Sequence, residues 1–428
     1  MTAARKPLSI YIHIPFCVRK CLYCDFLSAA AGKEQQHRYV RALLREIQEE
    51  SRSYVNRTVH TVFIGGGTPS ILPGEDIERI MDTLRENYEL SGECEISMEV
   101  NPGTVTEEKA VMWKRAGINR LSIGLQSAID EELQALGRIH SSRDFFETYN
   151  ILIKTGFNNI NIDLMSAIPY QTLDSYQKTL KLVTDLKPGP AHISAYSLII
   201  EEGTPFYEAE LVLPDEDCER EMYKITDDFL TTLGYTRYEI SNYAKPGYEC
   251  EHNQVYWQRG DYVGFGLGSA SLIDNMRFHN CRDIKSYVSH YSEEPADRQA
   301  ESAKEQHIKT RLLNEQNIKD CSLNEQYVKA VCKGDNTYSV KEDIQELTVE
   351  EQMEEFMFLG LRMMKGVSVR EFWACFGKSI DQVYPGIADK FADMGLLFRG
   401  EIEGEERIAL TREGIDVSNR IMAEFLLS

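Results

Sequence analysis

Six short apolar runs alternate with amphipathic stretches through the first half of the chain, and this alternation limits the fold more than any other feature. The runs are Leu8–Ile14, Val59–Ile64, Glu95–Val100, Arg120–Gly124, Asn159–Leu164 and His192–Leu198. Helical patterns near His37–Ser51, Glu75–Asn87, Glu107–Ala116, Arg143–Thr155 and Thr172–Leu186 fall between them. Strand–helix repeats of this kind build a parallel sheet with helices outside. About six units fall short of the eight that close a TIM barrel, so an open or partial barrel and a doubly wound sheet both fit. In either, functional side chains gather where strands end and loops begin.

The 428 residues suffice for two or three domains, or for one large α/β unit with an appendage. Hydrophobic residues make up 42%, enough for a sizeable core. Ala191–Ile200 is among the longest apolar stretches, well short of the ~18 residues of a membrane span. The start, MTAARKPLSIYIHIPFC, lacks a long apolar run and a small-residue cleavage site, so a cytoplasmic protein is expected. With 47 Lys+Arg against 68 Asp+Glu, the net charge of −21 repels phosphate backbones and argues against nucleic acid. Ten cysteines are far too few for a disulfide scaffold, which leaves free thiols or metal-ligand thiolates.

The pattern changes near residue 296. Residues 296–340 are polar, with a faint echo of LNEQNIK (313–319) in LNEQYVK (323–329), and 296–346 reads as an insertion or linker. An acidic helix start, LTVEEQMEE, then feeds the apolar run Phe356–Met364. Further helices and two short strands, LLFRG (396–400) and ERIAL (406–410), make 347–428 a small winged-helix-like α+β domain. Such modules often bind DNA, but residues 341–428 hold 10 Lys+Arg against 18 Asp+Glu, a net of −8, which favours a structural or lid role.

The sharpest chemical signal is Cys17-Val-Arg-Lys-Cys21-Leu-Tyr-Cys24, directly after the first strand. Three thiolates in so short a loop can converge on one metal centre. Structural zinc normally takes four ligands, and the next cysteine is Cys94. Three cysteines suit a cubane 4Fe–4S cluster with one iron left open. From spacing alone, zinc and unrelated thiols remain alternatives.

The stretch Tyr11-Ile-His-Ile-Pro-Phe-Cys17, continuing to Cys21-Leu-Tyr-Cys24-Asp-Phe, resembles the signature of radical S-adenosylmethionine (SAM) enzymes, and within them the oxygen-independent coproporphyrinogen III oxidase family. The resemblance implies a partial (β/α)6 parallel barrel over 1–295. It also implies a 4Fe–4S cluster on Cys17, Cys21 and Cys24, whose open iron chelates the amino and carboxylate groups of SAM. An electron from the cluster then releases a 5′-deoxyadenosyl radical, so the cofactor carries the chemistry and the protein positions it.

Further blocks agree. Gly65-Gly66-Gly67-Thr68-Pro69 follows the second strand, and glycines let backbone approach a ligand closely. Glu99 and Asn101 lie in SMEVNPGT, Gln126 in IGLQS, Arg138 and His140 in LGRIH, and Asp163 in NIDLM. Singly, each is an ordinary surface or strand-end residue; their joint placement at strand C-termini points to a pocket. By resemblance, Tyr11, Tyr23, Gly66, Gly67, Thr68, Glu99, Gln126, Arg138 and Asp163 hold SAM, with Tyr23 stacking on adenine. One departure is Ser166-Ala-Ile-Pro169-Tyr, where the family shows Gly-Leu-Pro-Gly; a bulkier loop there is expected to narrow the pocket.

Two features separate branches of the family. The dehydrogenases carry another cysteine two residues after the third ligand, where this chain has Phe26, and a long N-terminal segment, where only 16 residues precede Cys17. Conversely, His252-Asn-Gln-Val-Tyr256-Trp257 matches the HNxxYW motif of the family's haem-chaperone branch. Histidine and tyrosine both ligate haem iron, and Trp257 suits stacking on a macrocycle. Most lone histidines are merely hydrogen-bonded; the whole pattern is rarer. Cys250 is a weaker alternative ligand, and Cys94, Cys218, Cys281, Cys321, Cys332 and Cys375 read as buried or idle thiols. The branch implies haem as cargo, respiratory haem proteins as acceptors, an iron-storage protein as donor, and a homodimer. Coproporphyrinogen III dehydrogenase is the alternative activity; a haem-degrading radical methyltransferase and a zinc-bound interaction protein are more distant readings.

Overall fold

A computed structural model of the chain describes residues 5–292 and 340–427. Strands β1 (Lys6–Ile14), β2 (Arg57–Gly66), β3 (Glu89–Val100), β4 (Arg120–Gln126), β5 (Ile160–Ser166) and β6 (His192–Ser197) lie side by side in chain order, all parallel. Between them run helices α1 (Lys33–Glu50), α2 (Gly74–Asn87), α3 (Glu107–Arg115), α4 (Asp130–Ala135), α5 (Ser142–Lys154) and α6 (Leu173–Thr184). All six expected strands and all five expected helices are present; α4 is additional. Helix starts follow local chemistry: Ser141 opens α5 and Thr172 opens α6 with reciprocal capping boxes.

Alternation along the strands separates packing from chemistry. In β1, Leu8, Ile10, Ile12 and Ile14 join the core under the helices, while Tyr11 and His13 face cavities. Register carries the inner row across the sheet: Glu99 pairs with Ser122, Ser122 with Asn161, Gly124 with Asp163, and Asp163 with Ser194. Polar side chains from four strands therefore share one interior.

Residues 199–292, in which the sequence shows no clear periodic elements, lengthen the sheet at both ends. After α7 (Glu216–Thr232), the short strands β7 (Thr236–Glu239) and β8 (Asn242–Ala244) add antiparallel to β6. Helix α8 (Glu251–Trp257) follows. Then β9 (Tyr262–Phe265) pairs parallel with β1, and β10 (Ala270–Ile273) and β11 (Met276–Asn280) continue outward, followed by helix α9 (Ile284–His290). Of the expected insertion, 296–339 lies outside the described residues, with its echo and with Cys321 and Cys332. Its end, Lys341–Glu346, is not a linker: it forms β12, the edge strand against β11. Its polar sequence suits an edge, which must resist pairing with other chains.

The C-terminal residues have their own core around Met357, Leu361, Phe372, Phe391, Ile408 and Phe425. Helix Val349–Gly360 starts at a Thr348/Glu351 capping box. Strands β13 (Val367–Ser368), β14 (Leu397–Ile402) and β15 (Glu405–Leu410) form a small antiparallel sheet in the order β13-β15-β14. Glu403 and Gly404 both have positive φ, 53° and 82°, as a two-residue type I′ hairpin requires. A helix, a strand, three helices (Val369–Phe376, Ile380–Val383 and Ile387–Asp393) and a hairpin follow one another, a winged-helix-like order.

Glu355 ties this unit to the sheet. It is 6% exposed and ion-pairs with Arg259 (3.0 Å) and Arg277 (2.7 Å). Glu355→Gln is expected to destabilise the apoprotein by about 2–3 kcal/mol. That is below the ~3–5 kcal/mol of a fully buried pair, because Arg277 is 41% exposed. A urea midpoint equal to wild type would show that the two pairs contribute nothing.

Candidate functional site

A cavity of about 540 Å³ opens inside the sheet, lined at one end by Cys17, Cys21 and Cys24 and at the other by Arg120, His252, Asn253 and Tyr256. The cysteines lie on a loop whose stem is closed by backbone hydrogen bonds from Cys17 to Ala29 (3.1 Å) and from Ala29 to Pro15 (3.0 Å). Its tip is held by Leu22, whose N–H donates to Leu136 and whose carbonyl accepts from Phe206. All three thiols are free and half-buried. Among the described residues no three such side chains are already drawn together in metal-ligand geometry. The donor set itself, three thiols on one cavity wall without a carboxylate or histidine among them, fits an iron–sulfur cluster.

Hydrogen bonds tie two of these cysteines to the strand ends. Thr68 Oγ1 lies 3.5 Å from Cys17 Sγ and accepts from Asn101 Nδ2 at 2.8 Å. Asn101 Oδ1 accepts from Arg138 Nη2 (2.8 Å), and Arg138 Nη1 reaches Cys21 Sγ at 3.6 Å. Asn101, from the SMEVNPGT stretch, is the middle link between the two cysteines. The glycine block is equally constrained. Gly66, at φ +113°, donates its N–H to Glu99 Oε2 (3.0 Å), and Gly67 donates to Ile14 O (2.8 Å).

Burial, reinforced by Asp163, lifts the Glu99 carboxyl to about 8. Burial also raises Asp163, although Asn161 Nδ2 (2.7 Å) and Ser122 Oγ (3.0 Å) donate to it. Gln126 ends β4 at φ +70°, a left-handed conformation that costs a non-glycine residue energy. Its Oε1 accepts from Tyr196 Oη at 2.7 Å. Strain of this kind concentrates at functional sites. The Tyr11 hydroxyl donates to His13 Nδ1 (3.1 Å), while His13 Nε2 donates to Leu27 O (2.8 Å), the pattern of a neutral ring. Tyr23 packs on Phe206 with ring centres 6.4 Å apart. Every residue expected to hold SAM therefore lines this one cavity. His140 does not: it bonds Leu125 O, and burial lowers it to about 4.

The Ser166–Tyr170 loop does not narrow the pocket as expected, since none of its residues lines this cavity or the one next to it. Ala167 (φ 57°) and Tyr170 (φ 65°) adopt left-handed conformations, and Ile168 is buried beside Met165 and Phe206 rather than on the cavity wall. Tyr170 is 71% exposed.

His252 lies fully buried in the cavity wall with both nitrogens engaged: Nδ1 with Thr61 Oγ1 (2.7 Å) and Nε2 with Tyr256 Oη (2.8 Å). Thr61 donates its own proton to Ser9 Oγ (2.7 Å), so it accepts from Nδ1–H. The Nε2 lone pair then receives the Tyr256 proton. Burial, with Arg120 nearby, holds this ring down at about 3, so it is neutral. Helix α8 is anchored by Glu95, whose oxygens accept from the N–H groups of Glu251 (2.8 Å) and His252 (3.4 Å), in place of the N-cap bond that Cys250 does not make.

Trp257 is not brought into the cavity. It lies about 100° round the helix from Tyr256, and the Arg362 guanidinium covers its ring at 4.3 Å. Cys250 points its thiol at Glu95 Oε1 (3.5 Å) from a fully buried position. Cys94 and Cys281 are buried, Cys218 is half-buried and Cys375 is exposed.

The Radical SAM superfamily family matches residues 11–183, and the HemN C-terminal domain family matches 347–417. The heme chaperone HemW of Bacillus subtilis (strain 168) is 33% identical over 423 residues, covering 98% of this chain and 99% of that protein. The chain belongs to the HemW family. Among its other relatives, HemW of Escherichia coli (strain K12) is 44% identical over 268 residues, 62% of this chain and 70% of its own length. The solved structure of coproporphyrinogen III oxidase (HemN) from Escherichia coli superposes with a TM-score of 0.73. It covers 99% of this chain and 91% of that one at 21% identity, a likeness of fold. As a radical SAM family, the HemW family implies a 4Fe–4S cluster and SAM. Among the described residues no helix is long and apolar enough to cross a membrane.

Proposed function

We propose that this chain is a haem chaperone. It binds haem and, with a 4Fe–4S cluster and SAM, delivers it to acceptor haem proteins, those of respiration foremost, with an iron-storage protein as donor. The observation that carries the haem site is His252: a neutral imidazole in the cavity wall whose Nε2 lone pair is held by a single tyrosine hydroxyl. Iron replaces that one hydrogen bond, and the Nδ1 bond to Thr61 keeps the ring in the tautomer that iron takes. Cys17, Cys21 and Cys24 hold the cluster, which when bound supplies an electron to SAM. Tyr11, Tyr23, Gly66, Gly67, Thr68, Glu99, Gln126, Arg138 and Asp163 seat SAM. Trp257 contributes through its contact with Arg362, setting α8 against the C-terminal unit. The protein acts in the cytoplasm as a homodimer.

Haemin titration of the anaerobically reconstituted protein tests the site. His252→Ala loses the Soret band of the specific complex. Tyr256→Phe, which frees Nε2, tightens haemin by roughly 2–12-fold, the worth of one hydrogen bond. His252→Ala binding haemin as well as wild type defeats the assignment. Protoporphyrinogen IX formed from coproporphyrinogen III and SAM at a useful rate would replace the chaperone reading with the dehydrogenase one.

A further inference from the structure

Among the described residues, Arg120 is a buried charge on the cavity wall without a partner. Arg120 opens β4, and its side chain enters the sheet's interior, where it is 2% exposed. Its Nε makes no hydrogen bond, and the guanidinium forms no ion pair among the described residues. Two carboxylates feel its charge, Glu95 and Asp163, but neutral donors fill both. Glu95 accepts from Ser97 Oγ, Cys250 Sγ and the N–H groups of Glu251 and His252. Asp163 accepts from Asn161 and Ser122.

A guanidinium is always charged, and burying it without an acceptor is costly. Arg120 lines the cavity beside Asn253, whose side-chain amide is also uncommitted. We propose that Arg120, assisted by Asn253, anchors a carboxylate of the bound ligand. Resting on the haem reading above, that carboxylate is a propionate of the macrocycle. The planar fork of a guanidinium matches a carboxylate. A phosphate dianion would bring twice the negative charge of a carboxylate toward Glu95 and Asp163. The carboxylate of SAM is not the candidate either. It belongs at the cysteine end, and Arg120 lies six residues before Gln126, about 20 Å along the strand.

The test compares haemin with haemin dimethyl ester, whose propionates are esterified, by Soret titration of the reconstituted full chain. Wild type prefers free haemin by about 10–100-fold, the range of a charge-assisted hydrogen bond. Arg120→Gln loses that preference by weakening haemin and leaving the affinity for the dimethyl ester unmoved; Arg120→Lys keeps part of it. Wild type binding both forms equally, or Arg120→Gln retaining the preference, overturns the anchor. A second probe needs no haem: sodium propionate raises the melting temperature of wild type above a sodium chloride control, and not that of Arg120→Gln. That difference without haemin binding sinks the cargo reading and supports the carboxylate site, whereas equal melting shifts in the two proteins sink the site itself.

Discussion

Cys21→Ser is expected to yield a folded protein that takes up almost no iron or sulfide on anaerobic reconstitution and cannot cleave SAM. The two halves of that result have separate causes. Cys21 is half-buried on the cavity wall and belongs to none of the hydrophobic clusters. The loop around it is held by backbone bonds at Ala29, Leu136 and Phe206. Substitution should therefore move the melting temperature little. Three thiolates are the whole protein ligand set of such a cluster, and serine is a poor substitute for a soft ligand. The Arg138 contact at 3.6 Å also loses its sulfur partner. Iron and sulfide per chain equal to wild type in this variant would sink the cluster assignment. So would zinc in their place in the wild-type protein.

Gly67→Ala is expected to cost at least tenfold in SAM affinity and to lower cluster occupancy. A Cβ at Gly67 would stand 2.6 Å from Phe16 O and 2.9 Å from both Phe16 C and N. Those atoms are backbone and cannot swing away. Relief requires β2 to part from the residue just before Cys17, which breaks the Gly67 N–H bond to Ile14 O. The cysteine loop and the strand end proposed to seat SAM then separate, and binding that depends on their mutual geometry suffers from shifts of even an ångström. Gly65→Ala is the control. Its Cβ would meet the side chains of Phe63 at 3.0 Å and Glu99 at 3.2 Å, which can adjust. Calorimetric SAM titrations that rank Gly65→Ala as worse than Gly67→Ala would show that backbone crowding is not what the glycines prevent.

Legibility in the sequence followed the range of the physics. Strands β1–β6 announce themselves because strand period and helix period differ over a few residues. The cysteine trio and the glycine block are local, and both stand where the spacing placed them. Arg120 did not stand out. It opens a strand at its N-terminal end, where a barrel's conserved residues normally serve stability. The one available signal was a cation at the head of an otherwise apolar run, RLSIGLQ. Residues 199–292 were obscure because their strands are three to five residues long and held by register with distant partners.

The His252 motif shows both sides of this division. Its residue types and spacing are chain properties, and they mark a helix that bears a histidine. Which nitrogen holds the proton depends on Thr61, 191 residues away, and on Ser9 behind it. Whether Trp257 meets a ligand or Arg362 depends on where the C-terminal unit docks. Covalent spacing and periodicity travel with the chain itself. Protonation, unpaired charge and access to a cavity belong to groups that only folding brings together, so the tertiary structure alone decided them.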